Sequence, residues 1–130
     1  MLVGDTVALL FPRSVDSYIA ILGIMKAGAA YVPLDVSFPM ERIKYTLQRA
    51  EAKVIVSSTA LQDQCVEVVS KVDGCTHVTL ENVLDPEKNP NTKSNRKKSP
   101  DLIEMTENER CYIIFTSGST GTLKNLKIEI

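Results

Sequence analysis

The chain has 130 residues, 44% of them hydrophobic and 24% charged, with a formal net charge of −1. That balance fits one small folded domain and excludes a disordered segment. A near-neutral charge gives no electrostatic footing for nucleic acid or an anionic membrane as partner. The longest apolar stretch, Ile19 to Met25, is far shorter than the roughly 20 residues that cross a bilayer. No basic head opens the chain, and Asp5 interrupts what would be the apolar core of a signal peptide. The cysteines, Cys65, Cys75 and Cys111, are odd in number and form no CxxC pair. They are expected as small buried apolar residues in a reduced, cytoplasmic protein.

Short β-like runs alternate with helical patterns through the first half. Val7 to Phe11 is a continuous apolar run stopped by Pro12, the pattern of a strand covered on both faces. Ser14 is placed to cap a helix in which Val15, Tyr18, Ile19, Leu22 and Met25 recur at helical spacing, which predicts that face to be the buried one. Lys26 suits its last turn and Gly28 the left-handed residue beyond. Ala29 to Val32 resumes as a strand closed by Pro33. Pro39 and Glu41 suit the start of a second helix with Met40, Ile43, Leu47 and Ala50 on one face. Lys53 to Ser57 is the next strand. Leu61, Cys65, Val68, Val69 and Val72 mark a third helix, ended at Asp73-Gly74, and His77 to Leu80 reads as a short strand. Such βα units predict an α/β fold, a mainly parallel sheet flanked by helices.

From Asp85 to Asp101 the periodicity stops. Three Pro-containing pairs and the cluster Arg96-Lys97-Lys98 describe a solvated connection. The expected organisation is therefore βα units over 1–84, a flexible linker over 85–101, and a strand with its loop over 102–130. Cys111 to Thr116 is a strong strand run, and Leu126, Ile128 and Ile130 alternate with Lys127 and Glu129 in a second.

Between those strands lies the segment with chemistry in it. Gly118 and Gly121 allow backbone conformations and a close approach that a Cβ would block. Thr116, Ser117, Ser119 and Thr120 add hydroxyl donors, and Lys124 adds a positive charge. Donors plus a cation, without a carboxylate among them, suit a polyphosphate. The glycine spacing is neither GxGxxG nor GxxxxGK[ST]. Composition alone leaves a flexible Ser/Gly linker equally open; the apolar strand directly upstream favours the phosphate reading. His77, the single histidine, falls in an apolar strand pattern that suits a packed role better than catalysis.

Tyr-Ile-Ile-Phe-Thr-Ser-Gly-Ser-Thr-Gly-x-x-Lys, residues 112 to 124, closely resembles the signature of the adenylate-forming, or AMP-binding, superfamily. Met25 to Asp35, reading MKAGAAYVPLD, resembles a motif typical of the adenylation domains of nonribosomal peptide synthetases. Phe38 to Ile43, Ala52 to Ile55 and Gly4 to Ala8 continue the likeness in order. Where the family usually has Pro-Lys-Gly, this chain has Leu123-Lys124-Asn125; the leucine lacks the fixed φ of proline. The resemblance implies that Thr116, Ser117, Gly118, Ser119, Thr120, Gly121 and Lys124 contact the phosphates of ATP, with Mg²⁺ accompanying the nucleotide. It also implies a small carboxylic or amino acid as second substrate. A phosphopantetheine-bearing carrier domain, or the remainder of a multidomain synthetase, is the implied partner.

No adenine site, carboxylate pocket or C-terminal catalytic-domain motif is found before Ile130. The chain is therefore expected to be an N-terminal fragment, inactive alone. An acyl-CoA synthetase fragment is the alternative within enzymes, and a non-catalytic nucleotide-binding or interaction module the alternative outside them.

Overall fold

The computed structural model describes residues 4–85, 87–88, 110–117 and 123–129, with the backbone alone at 110, 115–117 and 123–129. The elements run β1 (Thr6–Leu10), α1 (Val15–Lys26), β2 (Ala30–Leu34), α2 (Met40–Arg49), β3 (Ala52–Ser57), a 3₁₀ turn (Thr59–Leu61), α3 (Gln62–Val69), β4 (Thr76–Thr79), α4 (Leu80–Leu84), β5 (Arg110–Ser117) and β6 (Leu123–Glu129). The strands form one six-stranded sheet in the order β4-β3-β1-β2-β5-β6. Among the described strands every pairing from β4 to β5 is parallel, and β6 runs antiparallel against β5. The α/β class and the mainly parallel sheet hold.

Local chemistry explains most boundaries. Ser14 caps α1, its Oγ accepting from the Ser17 N–H at 3.4 Å. Gly28, just past α1, and Gly74, in the turn before β4, take φ of 74° and 76°, the left-handed conformation in which a Cβ is costly; α3 itself ends at Val69, short of the expected Asp73-Gly74. Pro39 precedes α2, whose Ile43 and Leu47 are fully buried. Cys65 and Val68 of α3 are buried likewise.

Two apolar clusters sit on opposite faces of the sheet, as strand alternation requires. Ala8, Leu10, Val32 and Ile55 face α2 and α3, together with Cys75 and Ile113. Val7, Leu9 and Val56 face α1, through Ala20 and Ile24, with Leu80 of α4. All three cysteines are buried and unbonded to one another. Among the described residues no helix is long and apolar enough to cross a membrane.

Several expectations need correction. The helix α1 has the predicted extent but the opposite burial: Val15, Tyr18 and Leu22 are 74%, 68% and 66% exposed, Ile19 and Met25 also lie at the surface, and Ala20 and Ile24 turn inward. Small Ala20 lets the helix axis approach the sheet, and with apolar residues almost all round, spacing could not tell the two sides apart. Pro33 lies within β2, opposite Leu9, rather than closing it. The pairing of β2 with β5 centres on Tyr31 and Tyr112, so a missing N–H is tolerated further on. Leu80, expected to end a strand, instead begins α4, which Thr79 caps by accepting from the Asn82 N–H at 3.4 Å. Of the connection expected over 85–101, Asp85, Glu87 and Lys88 are described, the Asp85 carboxylate accepting from the Glu87 N–H at 2.9 Å; the remainder lies outside the described residues.

Candidate functional site

Parallel strands share a direction, so the ends of β1, β2, β3 and β5 open on one edge, where open α/β sheets bind ligands. At that edge β1 leads to Pro12-Arg13-Ser14, β2 to Asp35, β3 to Ser57-Ser58, and β5 to Thr116-Ser117.

The β5–β6 hairpin brings together the ends of the segment singled out in the sequence. Its ladder pairs Arg110 with Glu129 and runs through Phe115–Asn125 and Thr116–Lys124 to Ser117–Leu123. Ser117 and Lys124, expected in a loop, are therefore strand positions, and the connection narrows to 118–122. Thr116 and Lys124 stand directly opposite one another at its base. Gly118, Ser119, Thr120 and Gly121 lie outside the described residues. At the seam with β2, the Tyr31 and Tyr112 rings are 5.7 Å apart, tilted by 31°. Burial raises the Tyr31 phenol above its usual range, and Cys111 and Tyr112 add to the rise.

Beside this hairpin the end of β2 carries an ordered polar turn that sequence reasoning did not single out. The Asp35 carboxylate accepts from the Ser37 N–H at 2.8 Å and its hydroxyl at 2.7 Å. The Ser37 backbone bond foremost, then its hydroxyl, then Arg13 and Arg42, hold Asp35 below the usual carboxylate range. The Arg42 guanidinium stacks on Phe38, 3.9 Å from the ring centroid, which fixes the cation by cation–π attraction. An aspartate followed two residues later by serine was the available signal.

Further along the edge, Ser57 Oγ lies 2.8 Å from His77 Nε2 and also donates to the Ser58 carbonyl at 3.0 Å. The direction of the Ser57–His77 bond follows the tautomer of the ring. Ser57 is fully buried, so no substrate reaches it as a nucleophile; the pair is structural, as the sequence suggested for His77. Burial lowers the His77 pKa from 6.5. A folded pKa below the unfolded one means that folding favours the neutral ring. Stability is complete above about pH 6.5 and is lost as pH falls from there through the depressed folded value. Because the chain has a single histidine, the urea midpoint measured between pH 7.5 and 5.5 should fall on acidification. His77→Gln should flatten that slope; an unchanged slope would reject the assignment.

The order of strands and the layering of helices make this an open, doubly wound α/β domain with its candidate site at the carboxyl edge of the sheet. The chain belongs to the AMP-binding enzyme family, whose model matches residues 2–129. It is 40% identical over 117 residues to polyketide synthase PksN of Bacillus subtilis, covering 90% of this chain and 2% of that protein. It is 35% identical over 129 residues to surfactin synthase subunit 2 of the same species, covering 96% of this chain and 3% of the relative. Among solved structures it is similar to ATP-bound MatB from Rhodopseudomonas palustris, with a TM-score of 0.76, 26% identity, and coverage of 99% of this chain and 25% of that one. The N-terminal subdomain of Klebsiella oxytoca NpsA, in complex with 3-hydroxyanthranilyl-AMSN, aligns at a TM-score of 0.69 and 26% identity, covering 99% of this chain and 29% of that one. The chain thus spans a small part of the relatives it matches.

Proposed function

We propose that this chain supplies the phosphate-gripping edge of an ATP-dependent carboxylate-activating ligase of the amino-acid-activating kind. What carries the reading is the β5–β6 hairpin: its register sets Thr116 opposite Lys124 at the carboxyl edge of the sheet, across a connection rich in glycine and hydroxyl groups. Family membership and the likeness to ATP-bound MatB support ATP as the nucleotide. The MKAGAAYVPLD wording of residues 25–35 and the match to surfactin synthase subunit 2 support an amino acid over a fatty acid.

In this reading the acid's carboxylate oxygen bonds to the α-phosphorus while the bond to the β-phosphate breaks, giving an acyl-adenylate and pyrophosphate. Backbone N–H groups and hydroxyls of residues 116–121 and the Lys124 ammonium hold the β- and γ-phosphates and take up the charge that develops on the leaving pyrophosphate. Among the described residues no group of three or more His, Cys, Asp or Glu is placed to hold a metal ion. Mg²⁺ would accompany the nucleotide's phosphates. The remaining partners are the rest of a synthetase and a phosphopantetheine-bearing carrier domain, in the cytoplasm.

Hydrogen exchange with and without nucleotide tests the site. ATP should protect the amides of 116–124 more than AMP does, because AMP lacks the two phosphates this loop is to hold. Equal protection by both, or none, removes the phosphate reading. ATP–pyrophosphate exchange over a panel of amino and fatty acids then separates the classes. The chain by itself should show none; exchange dependent on one acid would overturn the expectation of inactivity and name the substrate. A non-catalytic module would show ATP-specific protection and would give no exchange even when joined to the remainder of a synthetase.

A further inference from the structure

A carboxylate, a hydroxyl-bearing residue and a lysine follow one another across the carboxyl edge of the sheet. Tyr31 of β2 pairs in parallel with Tyr112 of β5. Four residues further along each chain segment stand Asp35 and Thr116, and Thr116 is paired in turn with Lys124 of β6. Four is an even step, so these register positions fall on the same face of the sheet as the tyrosine pair. Neighbouring strands stand about 4.8 Å apart, which sets the Asp35 and Lys124 backbones on the order of 10 Å from each other. The flexible lysine stem and the shorter aspartate side chain together span such a gap.

Asp35 is a fixed, ionised carboxylate with one oxygen in reserve. Both bonds from Ser37, the N–H at 2.8 Å and the hydroxyl at 2.7 Å, fall on Oδ1. Hydrogen bonds of that kind favour the charged form. Among the described residues Oδ2 accepts no hydrogen bond, and no ion pair reaches the group: Arg13 and Arg42 act on it at longer range. Arg42 is itself stacked on Phe38. Lys124 is the remaining cation at the level of Asp35 on this edge.

We propose that Asp35 is a positioning residue for Lys124: in the nucleotide-free protein its Oδ2 accepts from the lysine ammonium across Thr116, and ATP must draw the lysine away in order to bind. The pair acts as a threshold. A triphosphate carries enough charge to displace one carboxylate from the lysine, whereas a lone phosphate competes poorly. The consequence for ATP rests on the phosphate reading of residues 116–124; the ion pair itself does not.

NMR titration of the 130-residue chain tests the pair without nucleotide, Lys124 being assigned by the signal lost in Lys124→Arg. Asp35→Asn keeps the turn, because asparagine accepts the same bonds from a residue two positions on. It should lower the Lys124 pKa by about half a unit. Lys124→Met should raise the Asp35 pKa by a similar amount, as linkage requires. An aspartate that only shapes its own turn would not respond to a change two strands away. Calorimetry then reads the threshold: Asp35→Asn should tighten ATP binding roughly two- to fivefold, and clearly less in a Lys124→Met background.

Absence of either pKa response overturns the inference, as does an Asp35 that responds to Arg13→Gln and not to Lys124→Met. Weaker ATP binding by Asp35→Asn would make the aspartate a support of the loop, and equal tightening in both backgrounds a plain repeller of phosphate; each outcome rejects the threshold. Reciprocal shifts in a chain that binds no ATP would remove the phosphate reading and leave the pair. ATP binding without those shifts would do the reverse.

Discussion

Ile55→Ala is expected to lower the unfolding free energy by about 2–5 kcal/mol, a large part of the 5–15 kcal/mol that holds a typical domain together. Ile55 is fully buried in β3, where it pairs with Ala8 on one side and His77 on the other. Its side chain belongs to the cluster between the sheet and helices α2 and α3. Truncation removes apolar burial and leaves a cavity, because neighbours pinned by hydrogen-bonded strands cannot collapse into it. Urea denaturation followed by circular dichroism measures the loss. Val66→Ala, at an exposed position of α3, should change stability by less than about 0.5 kcal/mol. Similar costs at the two positions would contradict the layering described.

Lys124→Ala is expected to weaken ATP binding roughly ten- to hundredfold, since a hydrogen bond to a charged group contributes about 1.5–3 kcal/mol. AMP binding should change far less, because the lysine is assigned to the β- and γ-phosphates. Lys124→Arg should recover part of the loss: it keeps the charge but exchanges a compact ammonium for a planar fork. Titration calorimetry with ATP and AMP on the three proteins decides the matter. An equal loss for both nucleotides would move the lysine away from the terminal phosphates, and no loss would remove it from the site. Strand pairing of position 124 with Thr116 predicts that the variant folds, since its backbone bonds are untouched. Salt should erode the wild-type advantage, because an accessible charge pair is screened.

Which parts of this molecule could be foreseen follows from the range of the forces involved. The capping of α1 by Ser14 and the left-handed turns at Gly28 and Gly74 depend on neighbours within a few residues. So do the β-run at Cys111–Thr116 and the order of βα units, and all of these were legible in the amino-acid string. The two motifs that resemble adenylate-forming enzymes were legible for the same reason, each being one continuous stretch.

Long-range packing decided the rest. Strand order, with β1 at the centre and β5 beside β2, and the antiparallel return of β6 depend on which segments meet across the sheet; no local pattern states that. Pro33 sits within β2 only because the ladder to β5 lies elsewhere along that strand. The turn Asp35-Val36-Ser37 gains a role only when the fold sets Arg13 and Arg42 near its carboxylate. Helix α1 shows the limit most clearly. Periodicity finds the buried side of a helix when one side is polar, and this helix carries apolar residues on both, so the choice of Ala20 and Ile24 over Val15, Tyr18 and Leu22 fell to the sheet against which it packs.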